Sequence, residues 1–316
     1  PDFRTIREGN TTMSTPMRGI YTIPSTPFDE QGKLDEEGLR RIVDFCVGCG
    51  AHGIVSPVNA SEFTSLSDDE RKTVIRIVIE QTAGRVPVIS GVAGLCASHA
   101  AMFARYAAEV GADGVIAMPP YIHKISHEQG LLDYYRAIAE AGKIPVFIQN
   151  YGPPVGTEMS AATLARIIRE VEYVDYIKEE TTPVTHKLSD VLKLAPKGKL
   201  KGVFGGAGCR WLLLEYPRGS AGNMPGCHVT DVCVRLWNSL EAGDWTEAKR
   251  VYGLMAPLFA IETQCPGAVY KEVLVMRGVI KCARSRNRAP GVMDEEDQRA
   301  LTTIIRDLEP LFTWHA

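Results

Sequence analysis

The sequence predicts an α/β protein: a (β/α)8 TIM barrel followed by a C-terminal helical extension. Two patterns carry this expectation. Short Ile/Val-rich runs alternate with helix-period segments to past residue 240, and the chain echoes itself at an offset of about sixty residues, or two βα units. Eight such runs are the number that closes a barrel.

The strand runs are Ile20–Pro24, Gly53–Pro57, Val86–Val92, Gly114–Met118, Pro145–Gln149, Val174–Lys178, Gly202–Gly205 and Ala221–Met224. Most lack polar alternation, as strands covered on both faces do. Between them the amphipathic stretches Asp35–Cys49, Asp68–Gln81, His99–Val110, Gln129–Ala141, Ala161–Glu170 and Thr185–Leu194 read as helices. Ser67, with Glu70 three residues on, is an N-cap with a capping box, and Ser160 caps the helix at Ala161. The echoes are Gly50-Ala51-His52-Gly53-Ile54-Val55 against Gly111-Ala112-Asp113-Gly114-Val115-Ile116, and Arg85-Val86-Pro87-Val88-Ile89 against Lys143-Ile144-Pro145-Val146-Phe147. A doubly wound open sheet is the rival, but no G-x-G-x-x-G follows the first strand.

After Cys227 the strands stop, and Asp231–Glu241, Trp245–Thr263, Ala268–Val279 and Asp294–Leu308 read as helices. The expected division is an N-terminal extension over 1–16, a barrel over 17–241 and a helical extension over 242–316 packed on the barrel. Residues 1–12 are polar, without the apolar stretch of a secretory signal. They read as a partly disordered or cloning-derived extension ahead of a start at Met13. The loop Arg284–Pro290 is basic and reads as solvated.

Composition narrows the function classes. Of 316 residues, 45% are hydrophobic and 23% charged, and 35 Lys+Arg against 38 Asp+Glu leave a net charge of −3. Without a Lys/Arg block, neither nucleic-acid phosphates nor an anionic membrane finds a partner here. The longest weakly polar run, Val86–Ala97, is too short for the roughly 20 residues of a bilayer span. The eight cysteines lie in apolar or helix-like contexts, which suits reduced thiols in the cytoplasm. Cys46 and Cys49 precede His52, but a metal site needs more ligands, and the pair reads as a buried helix face. No metal is expected.

In a barrel of this kind reactive groups stand at the C-terminal ends of the strands. Lys178 closes the run Val174-Asp175-Tyr176-Ile177, where burial is costly unless the amine is paired or neutral. A desolvated lysine loses its proton more readily and attacks carbonyls. A lysine salt-bridged to Glu179 or Glu180 explains the local sequence equally well.

Further motifs follow at the other strand ends: Thr26-Pro27-Phe28 after strand one, Ser61-Glu62 within Asn59–Leu66 after strand two, and Pro119-Pro120-Tyr121 after strand four. Gln149-Asn150 follows strand five, Tyr176-Ile177-Lys178-Glu179 strand six and Gly222–Gly226 strand eight. In this order and spacing, Arg18 to about Leu311 resembles the dihydrodipicolinate synthase / N-acetylneuraminate lyase family of class I lyases. The resemblance implies a (β/α)8 barrel with Lys178 as Schiff-base lysine, no cofactor beyond that covalent adduct, and a homotetramer built from dimers.

The departures concern substrate. Where the synthases carry Gly-Thr-Thr-Gly-Glu, this chain has Val58-Asn59-Ala60-Ser61-Glu62. A relay tyrosine after strand four is replaced by Ile122, beside a retained Tyr121, and a tyrosine at the end of strand five by Gln149. The synthases' arginine for a second carboxylate has no equivalent in Gly152-Pro153-Pro154-Val155-Gly156. An amide hydrogen-bonds but cannot shuttle protons as a phenol can. These substitutions resemble the branch that dehydrates 2-keto-3-deoxy sugar acids, such as 2-keto-3-deoxyarabonate, in sugar acid catabolism. Pyruvate-dependent aldolase, dihydrodipicolinate synthase and a catalytically silent ligand-binding barrel remain alternatives.

The expected substrate is a small 2-keto acid. Its carboxylate rests on Ala60 and Ser61, Asn59 and Gln149 hold a water, and Asn223 and Met224 line the pocket. Tyr121 is the expected proton carrier, Tyr151 a second candidate. Glu62 is either a base or, preferably, an orienter of its loop, and Asn150 supports the site. His123, His127 and His228 read as surface or loop-packing residues. Gly205-Gly206-Ala207-Gly208, lacking Lys or Arg, reads as a tight turn beside the substrate rather than a phosphate cradle.

Overall fold

The computed structural model describes residues 16–153, 155–286 and 292–314. The expectation for the first fifteen residues, and the part of the basic loop at 287–290, lie outside them. Strands β1 (Gly19–Thr22), β2 (Gly53–Ser56), β3 (Val88–Gly91), β4 (Gly114–Ala117), β5 (Val146–Asn150), β6 (Val174–Glu179), β7 (Gly202–Gly205) and β8 (Gly222–Asn223) pair in parallel, each with the next. β8 returns to β1 and closes the barrel.

Around it run α1 (Glu36–Gly48), α2 (Asp68–Thr82), α3 (Ala97–Glu109), α4 (Glu128–Gly142), α5 (Ala161–Glu170), α6 (Val184–Leu194), the short α7 (Leu212–Glu215) and α8 (Thr230–Glu241). Helices α9 (Trp245–Gln264), α10 (Ala268–Met276) and α11 (Glu295–Leu308) follow. Ser67 forms the expected capping box with Glu70, and the Ser160 hydroxyl accepts from the Thr163 amide. No helix among the described residues is long and apolar enough to cross a membrane.

Period-two alternation sorts each strand's side chains between the barrel interior and the helical layer. Tyr21, Phe147, Tyr176 and Phe204 belong to the interior cluster, where Phe147 and Tyr176 stack with centroids 4.4 Å apart. The Met17 amide donates to the Tyr176 hydroxyl at 3.0 Å and covers the cluster's lower end. Val115, Ile148, Ile177 and Val203 face outward against α3 to α6. Because Tyr176 faces inward and Ile177 outward, β6 turns Lys178 inward again and Glu179 outward.

The C-terminal helices share a core with the barrel. Residues of α8, α9, α10 and α11 bury one cluster that includes Ile20 of β1. Two elements differ from expectation. β8 spans two residues instead of four, since Pro225 has no N–H to continue the ladder; pairing resumes only as the Ile23–Gly226 bridge. Helix α7 was not expected at all, being one turn of Leu212-Leu213-Leu214-Glu215, too short for a periodicity to show.

Candidate active site

Lys178 is 3% exposed, and its Nζ lies 3.1 Å from Oε2 of Glu180, itself largely buried. In the β5–β6 register Gln149 stands beside Lys178, and its Nε2 donates to the same Glu180 oxygen at 2.8 Å. The sequence offers Glu180 only as a salt-bridge partner. Here it joins lysine and glutamine into one buried unit. Tyr151, at the end of β5, has its hydroxyl pKa raised by burial and by the Glu180 charge.

Two further carboxylates stand behind the strand ends. Glu179 points outward, accepts from Asn150 Nδ2 at 2.8 Å and from the Thr181 amide at 2.7 Å, and burial lifts its pKa to about 7. Asn150 also exchanges two hydrogen bonds with the Met159 backbone and so braces the β5 loop. Glu215 of α7 is fully buried, and desolvation raises its pKa to about 8, with the Glu180 and Glu179 charges adding to the rise. Gly205 and Gly206 make room for the pair. A Cβ on Gly205 would stand 2.2 Å from Glu215 Oε2, and one on Gly206 2.2 Å from Glu180 Oε1. The glycine run therefore admits carboxylates, and is not simply a tight turn beside substrate.

After β2 the chain makes a one-turn 3-10 helix over Asn59–Ser61, ending at Glu62 in the left-handed region with φ 56°. Ser61 is consumed internally: its amide donates to Val58 O, its hydroxyl to Pro24 O at 2.7 Å, and its carbonyl accepts from Thr26. This corrects the expectation that the Ser61 hydroxyl receives the substrate. The amides of Asn59 and Ala60, both half-buried, donate to no acceptor among the described residues and remain for an anion. Asn59 Nδ2 lies 4.0 Å from Met118 Sδ.

Glu62 faces the C-terminal extension. Its carboxylate meets Lys271 Nζ at 2.5 Å and accepts from Ser285 Oγ and the Arg286 amide. Arg286 also forks onto Glu70, and its guanidinium lies 4.3 Å from the Phe28 ring. Residues 284–286 are thus a latch across the turn, not a solvated loop.

Other expected residues fall differently. The Tyr121 ring meets Phe63 edge-on at 5.4 Å, and its hydroxyl, raised by burial, feels Arg71 and Asp68; no hydrogen bond joins it to Lys178, Gln149 or Glu180. Asn223 turns outward, donating to Gly206 O and Glu215 and accepting from the Cys209 amide, so it braces the β7 loop instead of lining a pocket. Met224 belongs to the interior cluster. His127 caps α4 and His123 is exposed, whereas His228 is buried, stacked on Tyr270, with Nε2 2.9 Å from Glu262 Oε1. Of the two expectations for His228, surface or loop-packing, burial excludes the surface: it packs from the turn after β8 onto Tyr270 and Glu262. Cys46 and Cys49 are buried at the inner side of α1. Among the described residues no group of three or more His, Cys, Asp or Glu is placed to hold a metal.

The family model described as "Dihydrodipicolinate synthetase family" matches residues 16–307. L-2-keto-3-deoxyarabonate dehydratase of Azospirillum brasilense is 33% identical over 307 residues, 95% of this chain and 98% of that protein. A 4-hydroxy-tetrahydrodipicolinate synthase of Nitratidesulfovibrio vulgaris is 31% identical over 245 residues, 76% of this chain and 81% of its own. Among solved structures, dihydrodipicolinate synthase from Rhodopseudomonas palustris superposes with a TM-score of 0.84 at 25% identity, covering 93% of this chain and 99% of that one. Family match and barrel agree: the chain belongs to the dihydrodipicolinate synthetase family of lyases.

Proposed function

We propose that this chain is a Schiff-base lyase of 2-keto acids, and that its reaction is the dehydration of a 2-keto-3-deoxy sugar acid such as 2-keto-3-deoxyarabonate. The observation that carries the reading is Lys178, a buried lysine turned into the barrel at the C-terminal end of β6. The amides of Asn59 and Ala60, which have no acceptor among the described residues, offer a place for the substrate carboxylate. The similarity to the Azospirillum brasilense dehydratase runs nearly the full length of both chains.

In this reading Lys178 Nζ adds to C2 and water leaves, giving an iminium that draws electrons from C3. Loss of a C3 proton forms an enamine. The enamine expels the C4 hydroxyl as water, and hydrolysis of the conjugated iminium frees the lysine. If C4–O loses its proton instead, the C3–C4 bond breaks, which is the aldolase outcome of one intermediate. The relatives named 4-hydroxy-tetrahydrodipicolinate synthase favour that activity as a second reading. Against it, Gly152–Gly156 contains no arginine for a second carboxylate. A cytoplasmic homotetramer working without metal or organic cofactor completes the proposal; sedimentation and trapping in the presence of a chelator test those parts.

The deciding experiment is borohydride trapping with pyruvate and with a panel of 2-keto-3-deoxy sugar acids, followed by mass mapping and product analysis. An adduct on Lys178 and dehydrated product are expected. Absence of any adduct at millimolar pyruvate would leave a ligand-binding barrel, and robust turnover of pyruvate with aspartate semialdehyde would make the chain a synthase.

A further inference from the structure

The end of α10, one face of α11 and the tail at 312–314 enclose a groove of about 560 Å³, a volume usual for small-molecule sites. No step of the reaction proposed at Lys178 uses it. We propose that this groove is a second binding site, and that its ligand is a monocarboxylate with an apolar aromatic body.

The walls are in place before any ligand arrives. Trp314 meets Phe45 of α1 edge-on at 5.9 Å and lies over Gly48, where a Cβ would stand 2.4 Å from the indole. Phe312 is pinned by the Arg277 guanidinium, 3.7 Å from its ring. Ile305 adds an apolar side chain from α11. Met276 keeps 45% of its surface in water at the end of α10, and an apolar ligand would cover it.

The polar lining selects the charge. Arg277, with its side chain 4% exposed, commits its two terminal nitrogens to Asp231 and the His228 carbonyl. Its buried Nε has no acceptor among the described residues. Arg306, one residue after Ile305, makes no ion pair among them. Unmatched donors of positive charge ask for an anion, and a planar carboxylate suits a guanidinium. Glu309, one turn beyond Arg306 in the same lining, disfavours a second negative charge on the ligand. A single carboxylate is therefore preferred to a dicarboxylate or a phosphate ester. The ligand pairs its carboxylate with Arg306 and lays its ring against Trp314 and Met276, and no covalent bond changes.

3-Phenylpropionate and its amide, 3-phenylpropanamide, are matched probes, equal in shape and different in charge. Calorimetric titration of the full chain should give saturable binding of the acid with a Kd of about 1 mM or tighter. The amide should bind about tenfold more weakly. R306M should lose about tenfold in affinity for the acid and bind the amide as wild type does. With methyl-labelled methionine, NMR should shift the Met276 signal and leave Met118, beside Asn59, and Met224, of the barrel interior, unmoved; this separates the groove from the site at Lys178. Equal binding of acid and amide, or full affinity for the acid in R306M, overturns the proposal. So do shifts at Met118 or Met224 in place of Met276, and the absence of saturation up to about 10 mM acid. A second copy of the chain covering the groove would make M276D sediment as a smaller particle than wild type, and that result overturns it as well.

Discussion

Lys271 of α10 and Glu62 of the turn after β2 meet at 2.5 Å, with side chains 2% and 9% exposed. The lysine also lies 4.4 Å from the Phe28 ring and donates to Arg284 O at 2.8 Å. Phe28 follows β1, so one buried ammonium ties two strand-end loops to the C-terminal extension. The extension therefore forms part of the wall that holds the Asn59–Ser61 turn.

Replacing Lys271 by Met keeps the bulk and removes the charge. Glu62 would retain Ser285 Oγ and the Arg286 amide but lose the Lys271 ammonium. Breaking a buried pair on one side costs about 3–5 kcal/mol. Urea unfolding of K271M should show that loss, and trapping should require more pyruvate as the Asn59–Ser61 turn loosens. The double variant E62Q/K271M should recover part of the stability; if it is no better than K271M, the charge left on Glu62 is not the cause.

The eight strands were legible because a strand covered on both faces must be apolar throughout, and Lys178 stood out as the exception ending such a run. Its partner was less legible. Glu179 and Glu180 are chemically equal in sequence, and only the facing of β6, set by Tyr176 within the barrel, sends Glu179 out to Asn150 and Glu180 in to Lys178. Asn223 was misread for the same reason, since β8 is too short for its alternation to be inferred. The basic segment 284–286 looked solvated because its partners, Glu62 and Glu70, lie more than 200 residues earlier in the chain.

Glu215 makes stability depend on pH. Its pKa rises from 4.5 to about 8 on folding, because the buried carboxyl keeps its proton, and that of Glu179 rises to about 7. The folded chain thus binds these protons more tightly than the unfolded one. Their contribution is whole below 4.5 and is lost as pH climbs through the window up to about 8. E215Q, which removes the titration and keeps the shape, should gain stability relative to wild type across that window. Parallel denaturation curves for the two proteins at every pH would show that Glu215 is ionised in the folded state.

Asp231 of α8 and Arg277 at the end of α10 form another buried ion pair. The guanidinium forks onto the carboxylate at 3.0 and 2.6 Å, and the Thr313 amide donates to the same carboxylate at 2.9 Å. Arg277 also donates to His228 O and lies 3.7 Å from the Phe312 ring and 4.7 Å from the Phe45 ring. Four segments therefore meet at one charge pair: α1, α8, α10 and the tail at 312–314. D231A leaves the arginine buried with one carbonyl partner and should cost about 3–5 kcal/mol by urea unfolding, with faster amide exchange at Thr313. Apolar residues of similar size often replace a buried pair at little or no cost, so D231L/R277M should recover most of the loss. If the double variant unfolds as early as D231A, the pair is required for the geometry of the tail and not merely for charge balance.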